Sequence, residues 1–243
     1  MNTRRLVRWV GTLMVVAGAG ALAWSLLVWR WQDPFTAVYT YREQRELRDD
    51  YDDRLAEFAV PRSRFRTRAE YRLAVAEAAR RYRRSLGRGD AIGRLKVPSL
   101  DLDIIFVNGT DTKSLKKGPA RHLATFLPGE GRLVYVAGHR TTYSAPFADI
   151  DDLEPGDRVV VELPYGTFEY RIRNHRIVDD NALEVLRSRG REELALQACH
   201  PRFFASQRYI AYAQPVSVAP RNGPPYRYTG TELAAAPSAS LSQ

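Results

Sequence analysis

Apolar and polar positions are spread unevenly along this chain, and the changes of pattern divide it into four parts. From Trp9 to Trp29 run 21 residues without a formal charge, bounded by Arg8 and Arg30. At 1.5 Å per helical residue such a segment covers about 30 Å, the thickness of a bilayer's hydrocarbon core. Trp9, Trp24, Trp29 and Trp31 fall near its ends, where indole rings favour the headgroup region. Residues 1–31 therefore read as a short N-terminus and a membrane anchor. Residues 32–88 reverse the character. Arg, Asp and Glu dominate, and only thin apolar stripes recur at helical spacing, Tyr51 with Leu55 and Phe58, then Tyr71 with Val75, Ala78 and Tyr82. Pro61 separates the two helical patterns, and Gly87 and Gly89 end the second. This region predicts a helical stem with solvated charges, a stalk that holds the next part off the bilayer.

Residues 89–220 change period again. Gly93–Val97, Ile104–Val107, Leu133–Ala137, Arg158–Leu163, Phe168–Val178, Leu194–Cys199 and Tyr209–Val218 read as short strands bounded by turn residues. In one of them Phe168, Tyr170, Ile172 and Asn174 alternate with Glu169, Arg171 and Arg173. Only Ala148–Leu153, Asn181–Leu186 and Ser114–Lys117 suggest brief helices. Many short strands joined by Gly and Pro turns predict an all-β domain, a barrel or a sandwich. Residues 221–243, with Pro224, Pro225 and a final Ala/Ser-rich run, read as a disordered tail.

Charge orients the anchor. Arg4, Arg5 and Arg8 precede the apolar run, which by the positive-inside rule keeps the N-terminus cytoplasmic and places the remainder outside. A cleaved signal peptide is the competing reading, since Ala17, Ala19, Ala21 and Ala23 could supply a cleavage site. The apolar run continues through Val28, longer than the usual signal core, which favours a retained anchor. The chain carries 37 Lys plus Arg against 28 Asp plus Glu, a net charge of +9. No zinc-finger spacing, RNA-binding aromatic motif or basic recognition helix accompanies that excess, so nucleic acid is not an expected partner. Anionic headgroups or an anionic cell wall fit better. The single cysteine forbids an intrachain disulfide. A free thiol outside the cytosol is exposed to oxidants, so it is either useful or buried and inert.

Two constellations carry candidate chemistry. Val134-Tyr135-Val136-Ala137-Gly138-His139-Arg140 is a strand that stops at a glycine and delivers His139 to a rim. Leu194-Ala195-Leu196-Gln197-Ala198-Cys199-His200-Pro201 delivers Cys199 to the end of another strand, where Pro201 cannot continue a central ladder. Arg208 follows nine residues later, at the start of a returning strand. A thiolate can attack a carbonyl, an imidazolium can protonate a leaving amine, and a guanidinium can donate to the oxyanion. Spacing alone leaves a buried structural cysteine and a satisfied structural histidine open. The four histidines and one cysteine form no zinc pattern. Asp149, Asp151 and Asp152 lack an EF-hand arrangement and read as capping or solvated groups.

Several stretches together resemble sortases, specifically the class E housekeeping type of high-GC Gram-positive bacteria. They are Gly118-Pro119, Thr125 with Leu127-Pro128-Gly129, Ala137-Gly138-His139-Arg140-Thr141-Thr142-Tyr143, Ala145-Pro146-Phe147, Leu153 to Asp157, Cys199-His200-Pro201 and Gln207-Arg208. The likeness covers roughly Gly89 to Val218. It implies a closed β-barrel of about eight strands, a catalytic set of Cys199, His139 and Arg208, and no cofactor. It also implies a sorting signal cleaved between Thr and Gly, with transfer to a peptidoglycan precursor amine or, in pilin-polymerising relatives, to a pilin lysine. Two departures bear on substrate positioning. Ala198 stands where sortases usually carry a threonine whose hydroxyl helps form the substrate and oxyanion site; Ala195 departs from the same motif. His122 stands where relatives often have a tyrosine linked to preference for Leu-Ala-x-Thr-Gly over Leu-Pro-x-Thr-Gly. Ala198, His122 and Tyr143 are expected near the substrate. A peptidase that uses mainly water, and a catalytically weakened wall-assembly module, are the other readings.

Overall fold

A computed structural model describes residues 3–31, 34–59 and 67–229. Helix α1 (Thr3–Trp31) contains the segment Arg4–Leu26, which is long and apolar enough to cross a membrane at a mean hydropathy of 1.7, with none of it buried against the rest of the chain. The side chains of Trp29, Arg30 and Trp31, and Pro61, lie outside what is described. Helices α2 (Pro34–Glu57) and α3 (Arg68–Ser85) follow.

The domain beyond them is a sheet of β1 (Ala91–Val97), β2 (Leu102–Asn108), β3 (Ala120–Arg121), β4 (Leu133–Ala137), β5 (Arg158–Leu163), β6 (Gly166–Asp179), β7 (Glu193–His200), β8 (Gln207–Pro220) and β9 (Tyr226–Arg227). Strand order is β6-β5-β1-β2-β3-β4-β7-β8-β9, and a direct β6–β8 pairing closes the first eight into a barrel. The expected closed barrel is present. Alternation decides what fills it. Val134 and Val136 of β4, Leu194, Leu196 and Ala198 of β7, and Ala211 and Ala213 of β8 join Ile92, Phe106, Phe168 and Tyr170 in the interior. The two-residue β3 is too short for a period to show, yet it bridges β2 and β4. A short helix α4 (Thr112–Lys117), capped by the Asp111 carboxylate, packs against α2 and β2.

The stem differs from a solvated stalk. Its thin apolar stripes face the barrel rather than water. Val75, Ala79 and Tyr82 of α3 belong to the barrel core, and the Tyr82 hydroxyl donates to the Ile92 carbonyl at 2.8 Å. Thr67 starts α3 with a reciprocal capping box to Glu70. On α2, Leu47 and Tyr51 pack with Ala91, Ile105 and Val107. The Gln44 side chain pairs with β2 as a peptide group would, donating to the Ile105 carbonyl and accepting from the Ile105 N–H, both at 2.9 Å. Charge density hides this packing because both helices need only one narrow apolar face.

Part of the C-terminal segment also departs from expectation. Residues 221–229 are ordered against the barrel rather than disordered, because β9 adds to the β8 edge. Tyr228 also supplies a hydrogen bond to the buried Glu192. That carboxylate, 4% exposed, takes the Tyr170 hydroxyl at 2.7 Å and the Gly129 and Gly131 N–H groups at 3.0 and 3.1 Å. Burial nevertheless raises its pKa, so the donors only partly offset the loss of water. Gly129 has a φ of +92°, and a Cβ there would meet Val75 at 2.7 Å. Residues 230–243, the rest of the expected tail, lie outside the described residues.

Tyr82→Ala is expected to cost about 3–5 kcal/mol, the usual range for deleting a buried aromatic. Leu73→Ala, on the same helix at 51% exposure, should stay within about 0.5 kcal/mol. Denaturant unfolding of the detergent-solubilised chain separates the two outcomes; a true stalk would leave both variants unchanged.

Candidate active site

Strand register brings the candidate residues together. β4 and β7 run parallel with Ala137 opposite Gln197, and the Gly138 N–H donates to the Gln197 carbonyl at 2.9 Å. His139 lies two residues beyond Ala137 and Cys199 two beyond Gln197, so both leave the barrel at one rim. β7 and β8 run antiparallel with Cys199 directly opposite Arg208. Cross-strand partners point to the same face of a sheet. Ala195 shares that outer face with Tyr135, Ile210 and Tyr212. The face opens into a cleft of about 270 Å³ lined by His139, Cys199, Arg208, His122, Tyr135 and Gln197, with Thr110 and Leu115 contributed from the α4 side.

Four of the expected site residues therefore line one cleft: His139, Cys199, Arg208 and His122. Ala198 does not. Adjacent residues of a strand face opposite ways, and its methyl group is buried in the barrel interior. Tyr143 lies against the His139 ring, centroids 5.1 Å apart, rather than lining the cleft. Sequence reasoning missed Gln197 and Tyr135, although Gln197 sits two residues before Cys199 and so shares its face, and Tyr135 lies on the strand that leads to His139. It also missed the contribution of α4. Asp149 and Asp151, weighed as capping groups, pair with Arg202 and Arg140.

The His139 segment is held tightly. A Cβ on Gly138 would meet the Phe147 ring at 2.6 Å, so glycine alone permits this approach. Tyr143, Ser144 and Ala145 follow with φ of 53°, 60° and 37°, unusual for residues with side chains. The stem steadies this turn. The Tyr143 N–H donates to the Thr36 hydroxyl of α2 at 2.8 Å, and the Tyr39 ring meets the Tyr143 ring edge-on at 6.1 Å. Lys116 of α4 covers the Tyr143 ring at 5.6 Å.

Electrostatics favour neutral imidazoles in the cleft. Burial pushes the His139 pKa below its ordinary value, and the Lys116 ammonium adds to the effect. His122 is lowered in the same direction by burial, then by Arg121. Its Nδ1 accepts the Ala124 N–H at 3.3 Å, which leaves the proton on Nε2 as a donor. Arg208 rests on backbone, with Nη1 donating to the Ala205 and Gln207 carbonyls at 2.7 and 2.8 Å. Its Nη2 lies 3.9 Å from Asp180. A thiol, a neutral imidazole and a guanidinium with spare donors are what acyl transfer requires at one carbonyl.

A closed barrel with cysteine, histidine and arginine on one rim places the chain in a class of β-barrel thiol proteins. The Sortase domain family model matches residues 95–216, about half of the chain; the chain belongs to the sortase family. It is 34% identical over 133 residues to Sortase D of Bacillus subtilis, a match covering 53% of this chain and 66% of that one. The crystal structure of Sortase E1 from Streptomyces coelicolor, with a tripeptide in its active site, superposes with a TM-score of 0.52 at 26% identity, covering 55% of this chain and 92% of that one. A Clostridium perfringens Sortase D5 transpeptidase shares the fold at 18% identity, with a TM-score of 0.56 over 72% of this chain and 99% of that one. The chain spans between 43% and 66% of the length of the curated relatives it matches.

The depressed His139 pKa gives a signed test. Its NMR titration midpoint should lie below about 6.5, the ordinary histidine value, and Lys116→Gln should raise it by removing a like charge. Because protonation is disfavoured in the fold, the stability linked to neutral His139 is fully present above that ordinary value. It falls away as pH drops through the folded-state pKa.

Proposed function

We propose that this chain is a membrane-anchored cysteine transpeptidase. It cleaves a Leu-Pro-x-Thr-Gly-like or Leu-Ala-x-Thr-Gly-like sorting signal between Thr and Gly, and it passes the acyl group to a cell-wall amine through a thioester on Cys199. The observation that carries this reading is the pairing of Cys199 with Arg208 at the rim where His139 emerges from the parallel neighbouring strand. Arg4–Leu26 would hold the enzyme in the membrane, with the N-terminus cytoplasmic and the barrel outside, as the basic residues before the span suggest.

In the first half-reaction the Cys199 thiol passes its proton to His139, and the thiolate attacks the Thr carbonyl carbon, forming the C–S bond. The carbonyl oxygen becomes an oxyanion, which Arg208 stabilises with donors not already given to Ala205 and Gln207. The C–N bond to Gly then breaks, and the departing amine takes a proton from His139. In the second, an acceptor amine attacks the thioester, His139 accepts its proton, and the thiolate leaves and takes that proton back as the thiol. The low His139 pKa suits the base role, while its protonated form, rarer at neutral pH, serves the acid step.

The Nε2–H of His122 offers the cleft a neutral donor, which we assign to orienting the signal peptide. Likeness to Sortase E1 supports the class E assignment, and the 34% identity to Sortase D supports a class D reading beside it. The inward position of Ala198 weakens the case for a degenerate assembly module, because the missing hydroxyl is not missing from the cleft.

Chromatography of products from a fluorescent signal peptide, with and without added amine, tests the reading. The amine should convert the hydrolysis product into the transfer product, and Cys199→Ala should abolish both. Arg208→Ala should lower kcat by about 10²–10³, the usual loss for an oxyanion donor. Arg208→Lys should recover little of it, because an ammonium lacks the planar fork. An amine-independent product ratio would leave only a hydrolase.

A further inference from the structure

His139 is followed by Arg140, and the two side chains have opposite fates. His139 lines the cleft, while Arg140 turns into the protein and is 5% exposed. A buried guanidinium is costly unless its donors are satisfied. Here they are shared among acceptors from two separate parts of the chain. Nε donates to the Ala148 carbonyl at 3.1 Å, and Nη2 pairs with the Asp151 carboxylate, both downstream of His139. Nη1 donates to the Cys199 carbonyl at 3.3 Å and to His200 Nδ1 at 3.1 Å, both at the end of β7. Guanidinium has only donors, so His200 Nδ1 must be the acceptor and Nε2 must carry that ring's proton.

One rigid planar group thus ties the backbone of the cysteine to the segment that carries the histidine. The last β4–β7 pair is Ala137 with Gln197, and the Gly138 N–H bond to the Gln197 carbonyl closes that ladder, so no β4–β7 pairing sets His139 against Cys199. Arg140 replaces such pairing where the ladder stops. Asp151 offsets the guanidinium's charge, which leaves geometry rather than field as its contribution.

We propose that Arg140 is a positioning residue for the transfer reaction, setting Cys199 against His139, with Asp151 orienting it. This rests on Cys199 and His139 being the reacting pair. A small misplacement at a reacting centre can cost about 10²-fold in rate, and a lysine cannot reproduce a three-way fork.

Two measurements on the full chain in detergent test the proposal, each made well below the melting temperature of every variant. The first is the rate of Cys199 alkylation by iodoacetamide at neutral pH, which needs no sorting signal. Arg140→Gln should move that rate at least halfway from the wild-type value to the His139→Ala value. The second is steady-state transfer of the signal peptide. Arg140→Gln and Arg140→Lys should each lower kcat by about tenfold or more, with KM for the peptide within about threefold. Asp151→Asn should lower kcat by at least about twofold without moving the melting temperature, and it decides the matter if both Arg140 variants fail to fold. Wild-type alkylation and kcat in folded Arg140 variants, or an unchanged kcat in Asp151→Asn, would overturn the proposal. If instead His139→Ala leaves alkylation at the wild-type rate, or Cys199→Ala stays active, the reacting pair itself is wrong and the reading beneath the proposal fails.

Discussion

The site depends on one constraint, the parallel register of β4 and β7. A parallel pair sends two strand ends out of the same side of a sheet, and here those ends carry His139 and Cys199. The antiparallel β7–β8 pair then adds Arg208 by direct opposition. A one-residue slip of β7 would turn Cys199 into the barrel and put Ala198 in the cleft. The filled interior forbids this, because Leu194, Leu196 and Ala198 are all buried there. Core packing thereby fixes the chemistry on the outer face.

The stem belongs to the same device. α3 supplies part of the barrel core, and α2 lies along β2 and reaches the turn after His139 through Thr36 and Tyr39. The helix nearest the membrane-crossing segment is therefore in mechanical contact with the candidate site. On the far side of the same interior, the buried Glu192 gathers the loop at Gly129, strand β6 and the segment carrying Tyr228.

Much of this was legible in the sequence. Short apolar runs bounded by turn residues located seven of the strands, because each has at least five residues and so leaves a run long enough to read. β3 and β9 have two residues each and leave no such trace. Tyr71, Val75, Ala78 and Tyr82 were visible as a helical stripe, yet the surrounding charge pointed to a stalk. A stripe shows which face is apolar, and it does not say what covers that face. His139, Cys199 and Arg208 were legible as strand-end residues. Arg140 was not, because its role lies in acceptors about ten and sixty residues away, which no local pattern records. Ala198 was misplaced for a different reason: neighbourhood in sequence is opposition in a strand.

The central claim is that Cys199 forms a covalent acyl intermediate at this rim. Mass spectrometry of the Cys199 peptide tests it most directly, after acid quenching of the chain with Leu-Pro-x-Thr-Gly and Leu-Ala-x-Thr-Gly peptides in the absence of amine. The account predicts an adduct equal to the signal fragment ending in Thr, confined to Cys199 and lost on adding an amine or hydroxylamine. Peptide cleavage without any adduct, or an adduct that persists after Cys199→Ala, would contradict it.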